Sequence, residues 1–484
     1  MNIAVLSSAS AGGAGIAAYR IYEALVESGH TIDFFDMNTI GGVEQHVSPW
    51  VSATNKKITN THYTVDFATE ERQWLINLLV KYDFINIQWS SFLISLSEIL
   101  KLAQLGKKIL FTLHDFYYMT GGCHYPAGCL GYLNQCMACP QVDETLCSQL
   151  TVMKTLEIKR EIFSHPNVHL SAPSAFVVNS AIQSGLIPKN RGHILRNAYK
   201  PIADLDLTLK KQNSILLIAD SFAEERKGLA LAVQAIKQAS KQVIANNQPF
   251  SLHLIGNLNK EVLTLLDGTG VEVVCHDHIK EHSKLVDIFS QCQFILTCSY
   301  EDNWPNILVE SAEYGCIPIT GKWHGCEEFI QTFNIGFIAE NYTSEEFSKI
   351  IEKAFSIATT EQIMLATTLA EKVREMHLYQ NVSEAYQKIY QQITASSTQE
   401  KEPKLNNKLV SRNHLSMAIR LMYNQKIKKG EVLDCKIKIH PSPFGNQNNI
   451  IDDIAIKQLH ELYYIDYPQT GYGLKQYLIQ KINF

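Results

Sequence analysis

The side chains of this chain best spaced to act together lie in Phe294-Ile-Leu-Thr-Cys-Ser-Tyr-Glu-Asp-Asn-Trp-Pro-Asn-Ile-Leu-Val-Glu310. Residues 294–298 form an apolar run of strand length, as in a parallel sheet covered on both faces. Pro305 fits the first turn of a helix, where its missing N–H is not needed. Asp302 then stands in the loop and Glu310 about one turn inside the helix. A carboxylate only accepts hydrogen bonds, so it can take both hydroxyls of a vicinal diol such as a ribose. A helix start offers unpaired N–H groups and the positive end of a dipole to an anion. The pattern suits a ligand that carries both hydroxyls and phosphate.

Three other places could contribute. Arg226-Lys227-Gly228 lies between an apolar run at 214–219 and an amphipathic helix from Leu229. A cation there supplies the full charge that a leaving diphosphate needs. His114 follows the apolar run 108–113, at the carboxyl end of a strand where α/β sheets place functional groups. It could equally be a hydrogen-bonded core histidine. The strand at 3–6 leads into a turn of small residues holding Gly12, Gly13 and Gly15, where backbone can approach a ligand closely. Its spacing is not the dinucleotide fingerprint G-x-G-x-x-G.

With these residues in view, 294–319 resembles the C-terminal signature of glycosyltransferase family 4, retaining sugar-nucleotide enzymes of GT-B fold. That signature is an acid, seven residues, a glutamate, a helix ending in glycine (Gly315 here) and a proline-containing strand (Pro318). Asp302 stands where the family usually has Glu. Thr112-Leu-His-Asp, followed by Thr120-Gly-Gly-Cys-His-Tyr, resembles the subgroup that builds colanic acid and related bacterial exopolysaccharides. The resemblance spans about residues 1–395. It implies that Glu310 holds the ribose diol and that Asp302, with the amides of Asn303 and Trp304, holds the donor sugar. Lys227 with Arg226 would neutralise the leaving diphosphate, His114 would contact the sugar, and the Gly13 loop would lie at the cleft. The family usually carries a second basic residue earlier in the loop, where this chain reads Asp220-Ser221.

The expected fold class is therefore α/β: two Rossmann-like, doubly wound parallel-sheet domains facing across a cleft. The expected division is an acceptor domain at 1–200, a linker at 201–212 and a nucleotide-sugar domain at 213–380. A helix at 381–396 would cross back to the first domain, and 397–484 forms an extension without an assigned role. Asp204 and Asp206 in the linker read as solvated acids rather than a cation site.

The 484 residues are 46% apolar and 19% charged, enough for two or three domains, and the net charge of −5 argues against a nucleic-acid binder. No run of eighteen apolar residues occurs, and the N-terminus lacks the basic start of a signal peptide. Eleven cysteines then imply reduced thiols in a cytoplasmic compartment. Cys123, Cys129, Cys136 and Cys139 fall within seventeen residues, two of them as C-x-x-C, and form a candidate structural zinc site. Cys147 and His124 are spare ligands, and buried free thiols are the plainer explanation. Residues 401–430 hold eight Lys or Arg against one Glu, a basic segment able to touch an anionic membrane surface or simply to be solvated.

The expected activity is metal-independent, retaining transfer of a hexose from a nucleotide-diphosphate sugar to an oligosaccharide or lipid-linked acceptor. Its setting would be bacterial surface-polysaccharide synthesis, at the inner face of the plasma membrane. A same-fold epimerase or phosphorylase, or a non-catalytic nucleotide-sugar-binding subunit, is the alternative.

Overall fold

Strands that are apolar on both faces must be covered on both faces, and this chain supplies a helix after nearly every one. The structure, a computed structural model, describes residues 1–41, 63–64, 71–136, 139–141, 149–221, 224–257, 264–276, 278–279 and 281–397. Its first part runs β1 (Asn2–Leu6), α1 (Gly12–Glu27), β2 (Thr31–Phe35), α2 (Met37–Ile40), α3 (Gln73–Leu79), β3 (Phe84–Ile87), α4 (Leu96–Gln104), β4 (Lys108–Thr112), α5 (Gln149–Ser164), β5 (Val168–Ala172), α6 (Ala175–Gln183) and β6 (Gly192–Ile194). The second continues with β7 (Ser214–Ser221), α7 (Leu229–Ala245), β8 (Ser251–Asn257), β9 (Glu272–His276), α8 (His282–Gln291), β10 (Phe294–Thr297), α9 (Asn306–Ala312), β11 (Ile317–Gly321), α10 (His324–Phe333) and β12 (Phe337–Ala339). Three helices close it: α11 (Ser344–Phe355), α12 (Thr359–His377) and α13 (Tyr379–Ser397).

The strands make two six-stranded sheets, ordered β2-β1-β3-β4-β5-β6 and β12-β11-β10-β7-β8-β9. Every neighbouring pair is parallel. The strand order reverses between β1 and β3 in the first sheet and between β7 and β10 in the second. Ligands of open α/β sheets bind beyond the carboxyl ends of the strands at such a reversal, because the two crossovers leave in opposite directions and open a crevice. The glycine turn follows β1, and the loops holding Lys227 and Asp302 follow β7 and β10.

The last helix returns to the first sheet. Tyr386, Tyr390 and Ile393 of α13 are buried in one apolar cluster with Ile3, Val5, Ile21 and Leu25. Tyr390 Oη accepts from Asn86 Nδ2 at 3.1 Å, and Tyr386 Oη lies 3.2 Å from Thr112 Oγ1, so both buried phenols are satisfied.

Some element boundaries differ from the sequence reading. Helix α1 begins at Gly12, so Gly13 and Gly15 belong to its first turn rather than to a preceding loop. Pro305 is the N-cap of α9, not a residue of its first turn. Helix α12 ends at His377, and α13 starts afresh at Tyr379 after an extended Leu378, two residues before the crossing helix expected at 381–396. Asp204 and Asp206 are exposed, and Asp206 accepts from Thr208 N at 2.9 Å, capping a short turn. The basic segment 401–430, Cys147 and the rest of the extension from 398 lie outside the described residues.

Candidate active site

Because β7 and β10 are hydrogen-bonded neighbours, the loops leaving them lie side by side. Tyr300 N donates to Arg226 O at 2.8 Å, and Arg226 Nη1 donates to Glu301 O at 3.0 Å. Gly228 has φ +68°, and a Cβ there would sit 2.2 Å from Cys298 O, so the two loops approach closely only through a glycine. The result is a cation–acid cluster. Lys227 Nζ is 2.8 Å from Asp302 Oδ2, and Arg226 Nη1 is 3.6 Å from the same oxygen.

The two cations differ in kind. The Arg226 side chain is 10% exposed and fully engaged: it also pairs with Glu224 at 2.7 Å and lies 3.9 Å from the centre of the Tyr125 ring. That of Lys227 is 25% exposed and holds Asp302 alone among the described residues, so it can turn towards a ligand without breaking the loop. Burial would raise the Asp302 carboxyl, but Lys227 and Arg226 outweigh it and keep the group below the usual carboxylate range. Glu301, next in the chain, is pushed up to about 7 by burial, against the pull of the Ala127 N–H and Arg226.

The loop after β10 also reaches the first sheet. Asn303 Nδ2 donates to Leu113 O at 2.9 Å, and Asn303 Oδ1 accepts from Ser174 Oγ. The Trp304 indole is buried, stacked on His377 and covered by the Arg196 guanidinium at 3.8 Å. Only the backbone of Trp304 is then left to meet a ligand. Glu328 of α10 takes the N–H groups of Ala175 and Phe176 at 2.7 and 2.9 Å, a carboxylate from one sheet's layer capping α6 of the other.

Glu310 lies in α9 and meets α1. Its Oε1 accepts from Arg20 Nη1 at 2.5 Å, and the Arg20 guanidinium lies 5.0 Å from the centre of the Tyr199 ring. Asn306 Nδ2 donates to Gly13 O at 2.9 Å, joining the start of α9 to the glycine turn. His114 Nε2 is 2.7 Å from Gln88 Oε1 beyond β3. Since Gln88 Nε2 donates to Asn86 Oδ1, its oxygen faces the imidazole, which assigns the His114 proton to Nε2. Burial pushes His114 down to about 4, so the ring is neutral and Nδ1 is an acceptor at neutral pH.

The structure thus joins Lys227, Arg226 and Asp302 in one cluster, places Asn303 across to the first sheet, and sets Gly13 against the start of α9. Among the described residues no hydrogen bond links Glu310 or His114 to that cluster; each is held by its own partner from the first sheet's layer. Residues 204–368 match the family model described as "Glycosyl transferases group 1", a span containing Lys227, Asp302 and Glu310. The chain is a glycosyltransferase. This glycosyltransferase is 23% identical over 299 residues, 59% of its length and 68% of the relative's, to an Escherichia coli (strain K12) protein named as the colanic acid biosynthesis glycosyl transferase WcaC. Its two facing sheets form the GT-B fold. They superpose on WaaG, a glycosyltransferase involved in lipopolysaccharide biosynthesis, with a TM-score of 0.53 at 14% identity, covering 81% of this chain and 100% of WaaG. Anabaena Alr3699/HepE, in complex with UDP and glucose, gives 0.50 at 14% identity, covering 82% and 100%.

Three residues of the glycosyltransferase's cleft carry no sequence signal. Arg20 sits in the middle of α1 among ordinary helix formers, and only its fold partner, 290 positions away, gives it a role. Glu301 looks like any loop acid until its 2.8 Å bond from Ala127 N is seen. His324 opens α10 with φ +54°, close enough to Asp302 to feel its charge, and burial depresses it to about 4. The positive φ of a non-glycine residue marks strain of the sort found at functional sites.

Proposed function

We propose that this enzyme transfers a hexose, with retention of anomeric configuration, from a nucleoside-diphosphate sugar to an oligosaccharide or lipid-linked acceptor during bacterial surface-polysaccharide synthesis. The observation that carries the reading is the pairing of Lys227 with Asp302 at the strand-order reversal of the second sheet, beside the start of α9. In the free enzyme cation and acid neutralise each other. On donor binding Lys227 would turn to the diphosphate, and its charge would count most as the sugar–phosphate bond breaks, since negative charge grows on the leaving oxygen then. Asp302, released, would accept hydroxyls of the donor sugar together with the amides of Asn303 and Trp304. Glu310 would accept the ribose diol, with Arg20 fixing its orientation, and neutral His114 would offer Nδ1 to a sugar hydroxyl. Arg226 would hold the loop.

In this reading Lys227 does the work that a divalent cation does elsewhere, and transfer runs without a metal. Same-face attack would account for retention, with the departing phosphate taking the acceptor proton. The setting would be the cytoplasmic face of the membrane: no described helix is long and apolar enough to cross a bilayer, and the WcaC name points to polysaccharide assembly.

The test is a thermal-shift panel of nucleoside diphosphates and their sugars, since preferential binding to the native state raises its melting temperature. The hit is then incubated with lipid-linked oligosaccharide extract in the presence of EDTA, and the product anomer is read by NMR. No shift with any member, an inverted product, or loss of transfer with EDTA would each overturn a stated part of the reading.

A further inference from the structure

The connection from β4 to α5 carries Cys123, Cys129, Cys136 and Cys139, none in a disulfide. All four line a single cavity of about 20 Å³, with Thr120, Pro126, Gly131, Tyr132 and Gln141 completing the wall. That volume holds about one water-sized object, too little for an organic ligand.

The backbone is shaped around the sulfurs. Gly131 N donates to Cys129 Sγ at 3.3 Å, two residues on, and Gly121 N donates to Cys136 Sγ at 3.2 Å. Gln135 and Cys136 are consecutive left-handed residues, φ +57° and +52°, a conformation that costs free energy in non-glycine residues. Thiols packed merely as small apolar groups need neither aimed N–H donors nor such a turn. No group of three or more His, Cys, Asp or Glu side chains among the described residues is assembled to hold an ion as it stands. Filling the site must therefore draw the sulfurs inward from the cavity wall, to about 2.3 Å from the ion.

We infer that Cys123, Cys129, Cys136 and Cys139 bind one structural zinc ion in this cavity. The four S–H protons leave to solvent, four Zn–S bonds form, and no redox change is involved. With four protein ligands no coordination position stays open for substrate. The ion's effect on the cleft would be mechanical. The same loop carries Tyr125 beneath the Arg226 guanidinium and Ala127 N against Glu301 at 2.8 Å, so fixing the loop fixes one wall of the Lys227–Asp302 site.

Full-length protein, expressed with zinc in the medium and passed through a desalting column, is analysed for metals by mass spectrometry. The expected content is about one zinc per chain, released on thiol modification with a mercurial. Cobalt(II) added alone to metal-stripped protein should give the intense visible bands of a tetrahedral thiolate site, and zinc alone should abolish them. Cys129→Ser and Cys139→Ser should each lower the zinc content at least about five-fold. Should those variants fail to fold, the wild-type stoichiometry and the cobalt spectrum still decide. Zinc below about a tenth of an equivalent with no cobalt spectrum, or a full equivalent of iron in its place, would overturn the inference. Neither readout depends on glycosyl transfer.

Discussion

Arg20 Nη1 of α1 donates to Glu310 Oε1 of α9 at 2.5 Å, joining the two sheets' layers through the carboxylate proposed above to hold the ribose. Only Oε1 is taken by this bond, so Oε2 can still accept. Burial lowers Arg20, but Glu310 more than restores it, and the guanidinium stays charged. In the proposed reading Arg20 is then an orienting residue for Glu310. A charge-assisted hydrogen bond contributes about 1.5–3 kcal/mol, so Glu310→Gln should weaken nucleoside-diphosphate binding by roughly 10- to 100-fold. Arg20→Met, which frees the carboxylate to rotate, should cost less, about 3- to 10-fold. Isothermal titration calorimetry measures both, and unchanged affinity in Glu310→Gln removes the ribose role.

Lys227 and Arg226 should separate cleanly under mutation. Lys227→Ala is expected to lower kcat by about 10²–10³ with little change in melting temperature, as for the loss of one electrostatic stabiliser. Arg226→Ala leaves Asp302, Glu224 and the Glu301 carbonyl short of a buried donor, and should cost on the order of 3 kcal/mol of stability. Denaturant midpoints beside steady-state rates distinguish them; equal loss of stability in both would refute the division of labour.

That division was not legible in Arg226-Lys227-Gly228, because adjacent basic residues look alike until burial tells them apart. What could be read were the strands. The strand expected at 3–6 is Asn2–Leu6 and the apolar run 108–113 is Lys108–Thr112 with one residue beyond it, since short apolar runs bounded by polar turns leave little freedom. Asp302 and Glu310 were legible because their spacing reflects a local loop and helix. Arg20, Glu328 and Ser174 were not, because their partners lie 290, 152 and 129 positions away and depend on how two sheets meet. The break between α12 and α13 after His377 was equally hidden. His377 Nδ1 bonds Asn197 O, and Tyr199 N donates to His377 O at 2.7 Å, a tertiary stop inside a good helical sequence.

Gly325 presents a sharper steric case. A Cβ at this position would fall 1.5 Å from Asn303 O, in backbone that cannot swing aside. Gly325→Ala should displace the loop carrying Asn303 and break its bonds to Leu113 O and Ser174, costing about 3 kcal/mol or more and most of the activity. Thermal unfolding and donor titration on the same preparation check it, and a variant of wild-type stability would show that the loop can relax.

Stability should depend on pH in two opposed ways. Burial depresses His324 and His377 to about 4, so each folded imidazole is neutral where the unfolded one takes a proton. Their stabilising contribution is present above about 6.5 and is lost as pH falls towards 4. Glu301 runs the other way. Raised by burial to about 7, it favours the fold while protonated; that contribution is complete below about 4.5 and is lost as pH rises through 7. Glu301→Gln mimics the protonated acid, so it should gain on the order of 2 kcal/mol relative to wild type between pH 5 and pH 8. Urea midpoints of both proteins across that range measure the gain, and parallel curves would place the Glu301 carboxyl in its ordinary range.

His114 makes the last prediction, and its sign follows from one hydrogen bond. Because Nε2–H is committed to Gln88 Oε1, Nδ1 is the ring nitrogen left for the proposed contact with a substrate hydroxyl, and it can accept but not donate. With the ring held down to about 4 by burial, no change of charge occurs between pH 5.5 and 8.5. His114→Ala should therefore lower kcat/KM by about 10-fold or more, as one lost hydrogen bond to a hydroxyl does, without altering the shape of the pH–rate profile over that range. His114→Asn, which keeps an acceptor and a neutral side chain, should recover part of the loss. A limb near 6.5 in the wild-type profile that vanishes in His114→Asn would show instead that His114 titrates in the active enzyme, and would make it an acid or base rather than a fixed acceptor.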